Sequence, residues 1–406
     1  MTERLYYTDP YLIEFDARVV DVRDVAGRTG VVLDRTAFYP TSGGQPFDTG
    51  TLGGARVVDV VDGDDGAIVH VVDSSRDSGL GPRGSALVSG RIDWARRFDH
   101  MQQHTGQHVL SAAIDRVCGV RTESFHLGAD TATIDLAREL TTAEIAASED
   151  AANEVVWADR PVTIRFADAA DAASLNLRKD SVRSGTLRII DVDGFDVSAC
   201  GGTHVGRTGA IGVIAISGWE RFRGGTRLEF KCGGRALHAH RILRDTVRDS
   251  SGLLSIAVGE LPQAIERLQG ESKELRRRLK DAGARLAVFE AEGLAAKAET
   301  VAGFRMIVEA LASDASTLKT MAQTIASSPG QVAVLVTSDS PVSIVVSRSG
   351  DVSAVDAAGV LKALLGRFGG KGGGRPELAQ GGGLQASAES VVAAARALLS
   401  PPPTDN

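Results

Sequence analysis

Two short motifs constrain this chain more than any other feature. His104-Thr105-Gly106-Gln107-His108 sets two imidazoles four residues apart, and Cys200-Gly201-Gly202-Thr203-His204 sets a thiol and an imidazole four apart. On a helix, residues i and i+4 share a face. One such pair occurs by chance in many helices. Two pairs able to close around one ion bring remote segments together, and a His/Cys donor set of this kind suits zinc. The candidate ligands are His104, His108, Cys200 and His204. Four protein ligands make a closed structural site, whereas catalytic zinc keeps one position open. Either one ligand is loose, the ion expands to five-coordinate, or the water is held elsewhere; the sequence leaves all three open.

Composition narrows the class. The 406 residues allow two or three domains. No apolar run approaches the roughly 20 residues of a membrane span. The first six residues lack a basic segment followed by an apolar one, so they are no secretory signal. Three cysteines are not a disulfide framework. These features point to a reducing, cytoplasmic setting with no membrane partner. Cys118 and Cys232 read as small core residues. A net charge of −7 argues mildly against nucleic acid, but the distribution of Lys and Arg matters more than their sum. Asp99-His100-Met101 resembles a fragment of a metal-phosphoesterase motif; its aspartate-rich companions are not evident, and it reads as accidental.

Taken in order, residues 1–90 read as β. Phe15-Asp16-Ala17-Arg18-Val19-Val20-Asp21-Val22 alternates with period two, and runs at 31–33, 55–61 and 67–72 follow between Gly and Asp turns, as in a small antiparallel barrel or sandwich. Within them lies Tyr39-Pro40-Thr41-Ser42-Gly43-Gly44-Gln45, either a surface turn or a device presenting Gln45 to a site. A helix is expected from Arg91 to about Val117, extended chain over 122–136, and a helix opened by the capping box Thr141-Thr142-Ala143-Glu144. Strands follow at 161–166, 187–192, 211–216 and 226–230.

The character then changes. A helix over 236–250 is followed by breaks at Gly252 and at Gly259-Glu260-Leu261-Pro262. Leu261, Ile265, Leu268, Ser272, Leu275, Leu279, Ala282, Leu286 and Phe289 then mark a coiled-coil seam. An intrachain helical hairpin is the simplest partner for that seam; a homodimer is the competitor. Arg276, Arg277 and Arg278 form a basic run, either a solvated face or an RNA contact. Beyond residue 303, strand and helix patterns alternate. Eight glycines in 369–383 read as a flexible linker or as a backbone cradle for phosphate with Lys371 and Arg375.

With these motifs assembled, the chain resembles the freestanding alanyl-tRNA editing proteins and the editing and C-terminal parts of alanyl-tRNA synthetase. Residues 39–50 resemble the family's glycine motif, 104–108 and 200–205 its two zinc motifs, Thr226-Arg227-Leu228-Glu229-Phe230 the strand closing its editing domain, and 369–383 its C-terminal signature. There are two departures. Gly106 and Gln107 stand where Thr or Ala often precede the second histidine. The family's Gln in the strand after the zinc helix is replaced by Glu123-Ser124-Phe125-His126, so its role would pass to Ser124 or His126.

The resemblance implies a zinc-dependent hydrolase that deacylates mischarged tRNA(Ala), chiefly seryl-tRNA(Ala), with glycyl-tRNA(Ala) as a second candidate. A pocket sized for alanine cannot exclude glycine and rejects an added hydroxyl poorly, so a second site must edit. His104, His108, Gln45, Ser124, His126 and Thr203 are the candidate catalytic residues. Thr41, Gln45 and Thr203 are candidates to read the serine hydroxyl. Thr41, Gly43, Gly44, Arg221, Arg223, Arg227, Arg276, Arg277, Arg278, Lys371 and Arg375 are the candidate substrate and tRNA contacts. The expected architecture is an α+β multidomain chain: a small β-barrel (1–90), a mixed α+β zinc-binding editing domain (91–235), a helical hairpin or coiled coil (236–298), and a C-terminal α/β domain with a glycine-rich loop (299–406) for tRNA binding or dimerisation. Three alternatives stand: a non-catalytic tRNA-binding module with structural zinc, a fragment of the synthetase, and a zinc hydrolase acting on free aminoacyl esters. Met1 opens directly on the barrel, which favours the freestanding form.

Overall fold

The computed structural model describes residues 1–73, 87–168, 171, 175, 177–178 and 186–400. The chain divides into two compact units, Met1–Ser250 and Ser251–Asn406.

The first unit begins with β1 (Glu3–Arg4), β2 (Glu14–Val25), β3 (Arg28–Leu33), β4 (Arg35–Thr36), β5 (Gly50–Leu52), β6 (Ala55–Asp62), β7 (Ile68–Asp73) and β8 (Leu87–Ile92). Six of these close a barrel in the order β2-β3-β7-β6-β5-β8, while β1 and β4 pair with each other. The period-two pattern sets the inside: Phe15, Ala17 and Val19 are buried on β2, and Glu14, Asp16 and Arg18 are exposed. Val31, Leu33, Phe38, Leu52, Val57 and Ile68 join them in the barrel core.

Between β4 and β5, Gly43 and Gly44 take φ of 57° and 84°, a region open to glycine without penalty. Ser42 and Gln45 close this turn with reciprocal backbone hydrogen bonds of 3.1 and 2.9 Å. The segment is thus a hairpin turn that carries the Gln45 side chain inward, where it is fully buried. Three residues later, Asp48 forms a fully buried ion pair with Arg97, whose guanidinium also donates to Pro10 O at 2.8 Å. That pair fastens the turn to α1 (Trp94–Cys118).

Helix α1 starts at Asp93, whose side chain accepts from Arg96 N, two residues after the expected Arg91. Every residue from 103 to 114 is buried. Only part of its helical periodicity showed in the sequence because the helix is enclosed on all sides. Around it lie β9 (Thr122–Leu127), β10 (Ala132–Leu136), α2 (Thr142–Trp157), β11 (Val162–Ala167), β12 (Leu187–Val192), β13 (Asp196–Ala199), β14 (Ile214–Phe222), β15 (Gly225–Cys232) and α3 (Gly233–Leu254). The strands form two antiparallel sheets, β14-β15-β10-β9 and β11-β12-β13, and α1 packs on α2 and touches both. The capping box of α2 is present as expected. Two expectations fail. Ile211 ends a 3-10 turn, Thr208–Ile211, so the strand opens only at Ile214. Gly252 lies inside α3 and breaks nothing.

The second unit holds α4 (Leu261–Ala296), β16 (Glu299–Val301), β17 (Phe304–Leu311), α5 (Ala315–Ala326), β18 (Gln331–Thr337), β19 (Val342–Arg348), α6 (Ala357–Phe368), β20 (Lys371–Arg375), β21 (Leu378–Leu384) and α7 (Ala388–Leu399). Its sheet runs β16-β17-β18-β19-β21-β20, with only β17 and β18 parallel. Every residue of β18 is buried. Val332, Val334 and Val336 face one core with α6 and α7, and Ala333 and Leu335 face another with α4 and α5. Burial on both faces explains the unbroken apolar run. The glycine-rich stretch is neither linker nor open loop: it folds as the antiparallel pair β20–β21, with β20 at the sheet edge. Along α4, the seam residues Leu275, Leu279, Leu286 and Phe289 are exposed.

Candidate metal centre

Helix α1 delivers His104 and His108 to one face, and the turn after β13 delivers Cys200 and His204. One donor atom from each lies within 4.8 Å of all the others. Cys200 Sγ is 3.4 Å from Nε2 of both His104 and His204. That separation is close to the edge of a tetrahedron with bonds of about 2.0–2.3 Å. The three histidines are buried and Cys200 is partly so.

Each imidazole is fixed through its other nitrogen. His104 Nδ1 lies 2.8 Å from Gln45 Oε1, an oxygen that also accepts from Thr203 N at 3.1 Å. His108 Nδ1 lies 3.1 Å from Asp196 Oδ2. His204 Nδ1 lies 3.2 Å from Thr105 Oγ1, whose proton goes to Met101 O at 2.8 Å. In each case an oxygen accepts the Nδ1 proton, so Nε2 is left to face the cluster. Asp196 is held in turn by Arg178 Nε at 2.7 Å and Ser198 Oγ at 2.9 Å. The donor chemistry, the tautomers and the spacing all fit a zinc ion.

The electrostatics agree. Burial alone would raise the Cys200 thiol, but His104 and His204 outweigh it and hold the thiol well below its ordinary value. Burial likewise opposes charge on His108, yet its hydrogen bonds to Asp196 and Cys200 raise it to about 9. A metal ion entering here competes with that proton. His204, buried without a carboxylate, falls to about 3. The close fit shows in the backbone as well. A Cβ at Gly202 would lie 2.2 Å from His104 Cε1, so no larger residue fits there.

The cluster opens on a cavity of about 470 Å³. Its lining includes Tyr39, Ser42, Gly43, Gln107, Phe125 and Arg188 beside His104, His108 and Cys200. Phe125 lies over His104 with ring centres 5.3 Å apart. Gly44 backs onto the same strand, its carbonyl accepting from Leu127 N at 3.2 Å.

Several candidate residues take other places than expected. Gln45 and Thr203 are fully buried and bond to each other at 2.8 Å; neither lines the cavity. Gln45 holds His104, and Thr203 braces Gln45 from both ends of its amide. Thr41 is exposed, accepts from Phe47 N, and also stays out of the cavity lining. Ser124 lines the cavity but donates to Asp135 at 2.6 Å. His126 is exposed and outside the lining. On β9 these two alternate with Phe125, and Phe125 is the residue that meets the cluster. Asp99 pairs with Arg235, so neither it nor His100 joins the metal ligands.

Sequence reading missed Asp196, Arg178, Ser198, Phe125 and Arg188. Asp196 carried a signal, an acid shortly before Cys200 that could serve a histidine ligand. Among the cations, Arg227 is committed to Asp135 at 2.7 and 3.0 Å. Arg221 pairs with Glu139, and Arg277 and Arg278 share Glu274. Among the described residues Arg223, Arg276, Lys371 and Arg375 have no ion-pair partner.

Three family models match the chain: tRNA synthetases class II (A) over residues 10–96, the threonyl and alanyl tRNA synthetase second additional domain over 187–229, and the DHHA1 domain over 303–400. The alanyl-tRNA editing protein AlaX-L of Pyrococcus horikoshii is 36% identical over 275 residues, covering 66% of each chain. The alanine–tRNA ligase of Pyrococcus abyssi is 36% identical over 395 residues, covering 94% of this chain. This chain belongs to the alanyl-tRNA ligase and editing family. A ligase from Methanoculleus marisnigri is also 36% identical, over 401 residues and 95% of this chain. The chain spans 42% of the length of either ligase. The C-Ala domain of Aquifex aeolicus alanyl-tRNA synthetase aligns with 26% of this chain at 24% identity, with a TM-score of 0.24. The cluster of His104, His108, Cys200 and His204 is thus a feature of a family member, in the unit that carries the first two matched models.

Proposed function

We propose that this chain removes the amino acid from mischarged tRNA(Ala) by hydrolysing its ester, chiefly serine, with glycine as a second substrate. The observation that carries this reading is the convergence of His104, His108, Cys200 and His204 into one cluster, three of them lining one cavity, in a member of the editing family. Zinc held by these four would supply Lewis acidity for ester hydrolysis. The chain's own residues do the rest. Gln45, Asp196 and Thr105 fix the three ring tautomers. Phe125 covers His104 and limits water at that wall. Of the candidate cations, Lys371, Arg375, Arg223 and Arg276 are exposed and free of ion pairs among the described residues, and so are available to phosphates.

The second reading is a tRNA-binding module with structural zinc. Four converging protein donors favour it, since closed sites are the structural kind. One experiment separates the two: deacylation of Ser-tRNA(Ala), Gly-tRNA(Ala) and Ala-tRNA(Ala) by the wild-type protein and by Cys200→Ala. The editing reading expects loss of the seryl ester with wild type, sparing of the alanyl ester, and a drop of at least about a hundredfold with Cys200→Ala. A wild-type protein that leaves the seryl ester intact would favour the structural reading.

A further inference from the structure

The groups expected to read the serine hydroxyl are committed elsewhere, so the cavity needs another. We propose that Gln107 is the specificity-determining residue, its side-chain amide reading the hydroxyl of the bound aminoacyl group. This rests on the editing reading above.

Gln107 lies on α1 between the two histidines and lines the same cavity as His104, His108 and Cys200. It is buried, at 7% exposure. One end of its amide is tied down: Nε2 donates to Ser111 Oγ at 2.9 Å. Ser111 is steadied in turn by Thr122 Oγ1 at 2.8 Å, across the gap between α1 and β9. Among the described residues the other end, Oε1, has no hydrogen-bond partner. An amide oxygen with no protein partner, at the wall of a cavity and on a side chain held from behind, is a preformed acceptor.

The substrate chemistry follows from that acceptor. A hydroxyl both donates and accepts, so it satisfies the free end of the amide whichever way the amide is turned. The side chain of a glycyl or alanyl group can do neither, so this hydrogen bond is lost with it. Sites built around a hydrogen bond reject analogues that lack it far more strongly than apolar pockets reject an extra group. Gln107 therefore favours small hydroxylated aminoacyl groups.

The test compares wild type with Gln107→Met, which keeps length and burial but removes the amide, using kcat/KM for Ser-tRNA(Ala) and Gly-tRNA(Ala). Bound zinc and the melting temperature are measured on the same samples. The expected result is a fall of roughly ten- to a hundredfold for the seryl ester and less than about threefold for the glycyl ester, with zinc content unchanged. Equal falls on both esters would overturn the assignment and make Gln107 a general support of the site. No change on either would overturn it outright. Should Gln107→Met fail to fold, Gln107→Asn serves: its shorter amide cannot hold Ser111 and reach the cavity together, so an unaltered seryl preference would also refute the proposal. Wild type inactive on both esters would sink the editing reading itself, a different failure from an active wild type with an indifferent variant.

Discussion

Both ends of the Gln45 amide are engaged, one with His104 and Thr203 N, the other with Thr203 Oγ1. In the proposed site this amide would fix His104, apart from substrate choice. Gln45→Leu should therefore weaken zinc binding by about ten- to a hundredfold, measured by competition with a chromophoric chelator. The ratio of seryl to glycyl deacylation at saturating zinc should stay the same; a changed ratio with unchanged zinc affinity would return Gln45 to the substrate. At this scale the four clustered donors were legible because donor type and spacing are local properties of sequence. Their supports were not. Asp196 reaches His108 only once β13 is laid beside α1, and nothing near His108 announces it. Ser124 lines the cavity with its hydroxyl engaged by Asp135, while His126 lies outside it: the alternation of a strand does not say which face meets the cluster, and Phe125 took that face.

Helix α1 shows what element-scale packing demands. Gly106 stands in the middle of a helix, where Ala would be intrinsically better by up to about 1 kcal/mol. Yet a Cβ there would lie 2.3 Å from Cys232 Sγ on β15, so the helix and the sheet are closer than any side chain allows. Gly106→Ala should destabilise the protein by about 1–3 kcal/mol in spite of its propensity. Cys232→Ala alone should also cost stability, because it opens a void. The double variant should recover a coupling of about 0.5–3 kcal/mol; chemical denaturation of the four proteins closes the cycle, and strict additivity would refute the contact. Elements with a single wet face, such as β2, could be read from their alternation. Fully enclosed β18 showed apolar content without a face, and α1, whose buried stretch is largely polar, showed only a partial periodicity. The hairpin β20–β21 was hidden because glycine carries no side-chain pattern; its pairing rests on backbone hydrogen bonds alone.

At the scale of the whole molecule, the two compact units have separate cores. The metal cluster lies wholly in the first. Zinc that binds only the folded state stabilises that state, by about 4 kcal/mol when free zinc is a thousandfold above Kd. Calorimetry should then resolve two transitions, and a chelator should lower one of them while leaving the other in place. A single transition that shifts as one would show that the units unfold together. Order along the chain was legible throughout, because each motif marks its own region, whereas the division into two units depends on contacts no motif records.

The glycine hairpin has one further consequence. An edge strand is a template on which another chain can pair, and β20 is all exposed, with three glycines that raise no steric barrier. Lys371 and Arg375 stand at its two ends. A second copy pairing along this edge would bring Lys371 and Arg375 opposite like charges, a cost that opposes edge-to-edge association.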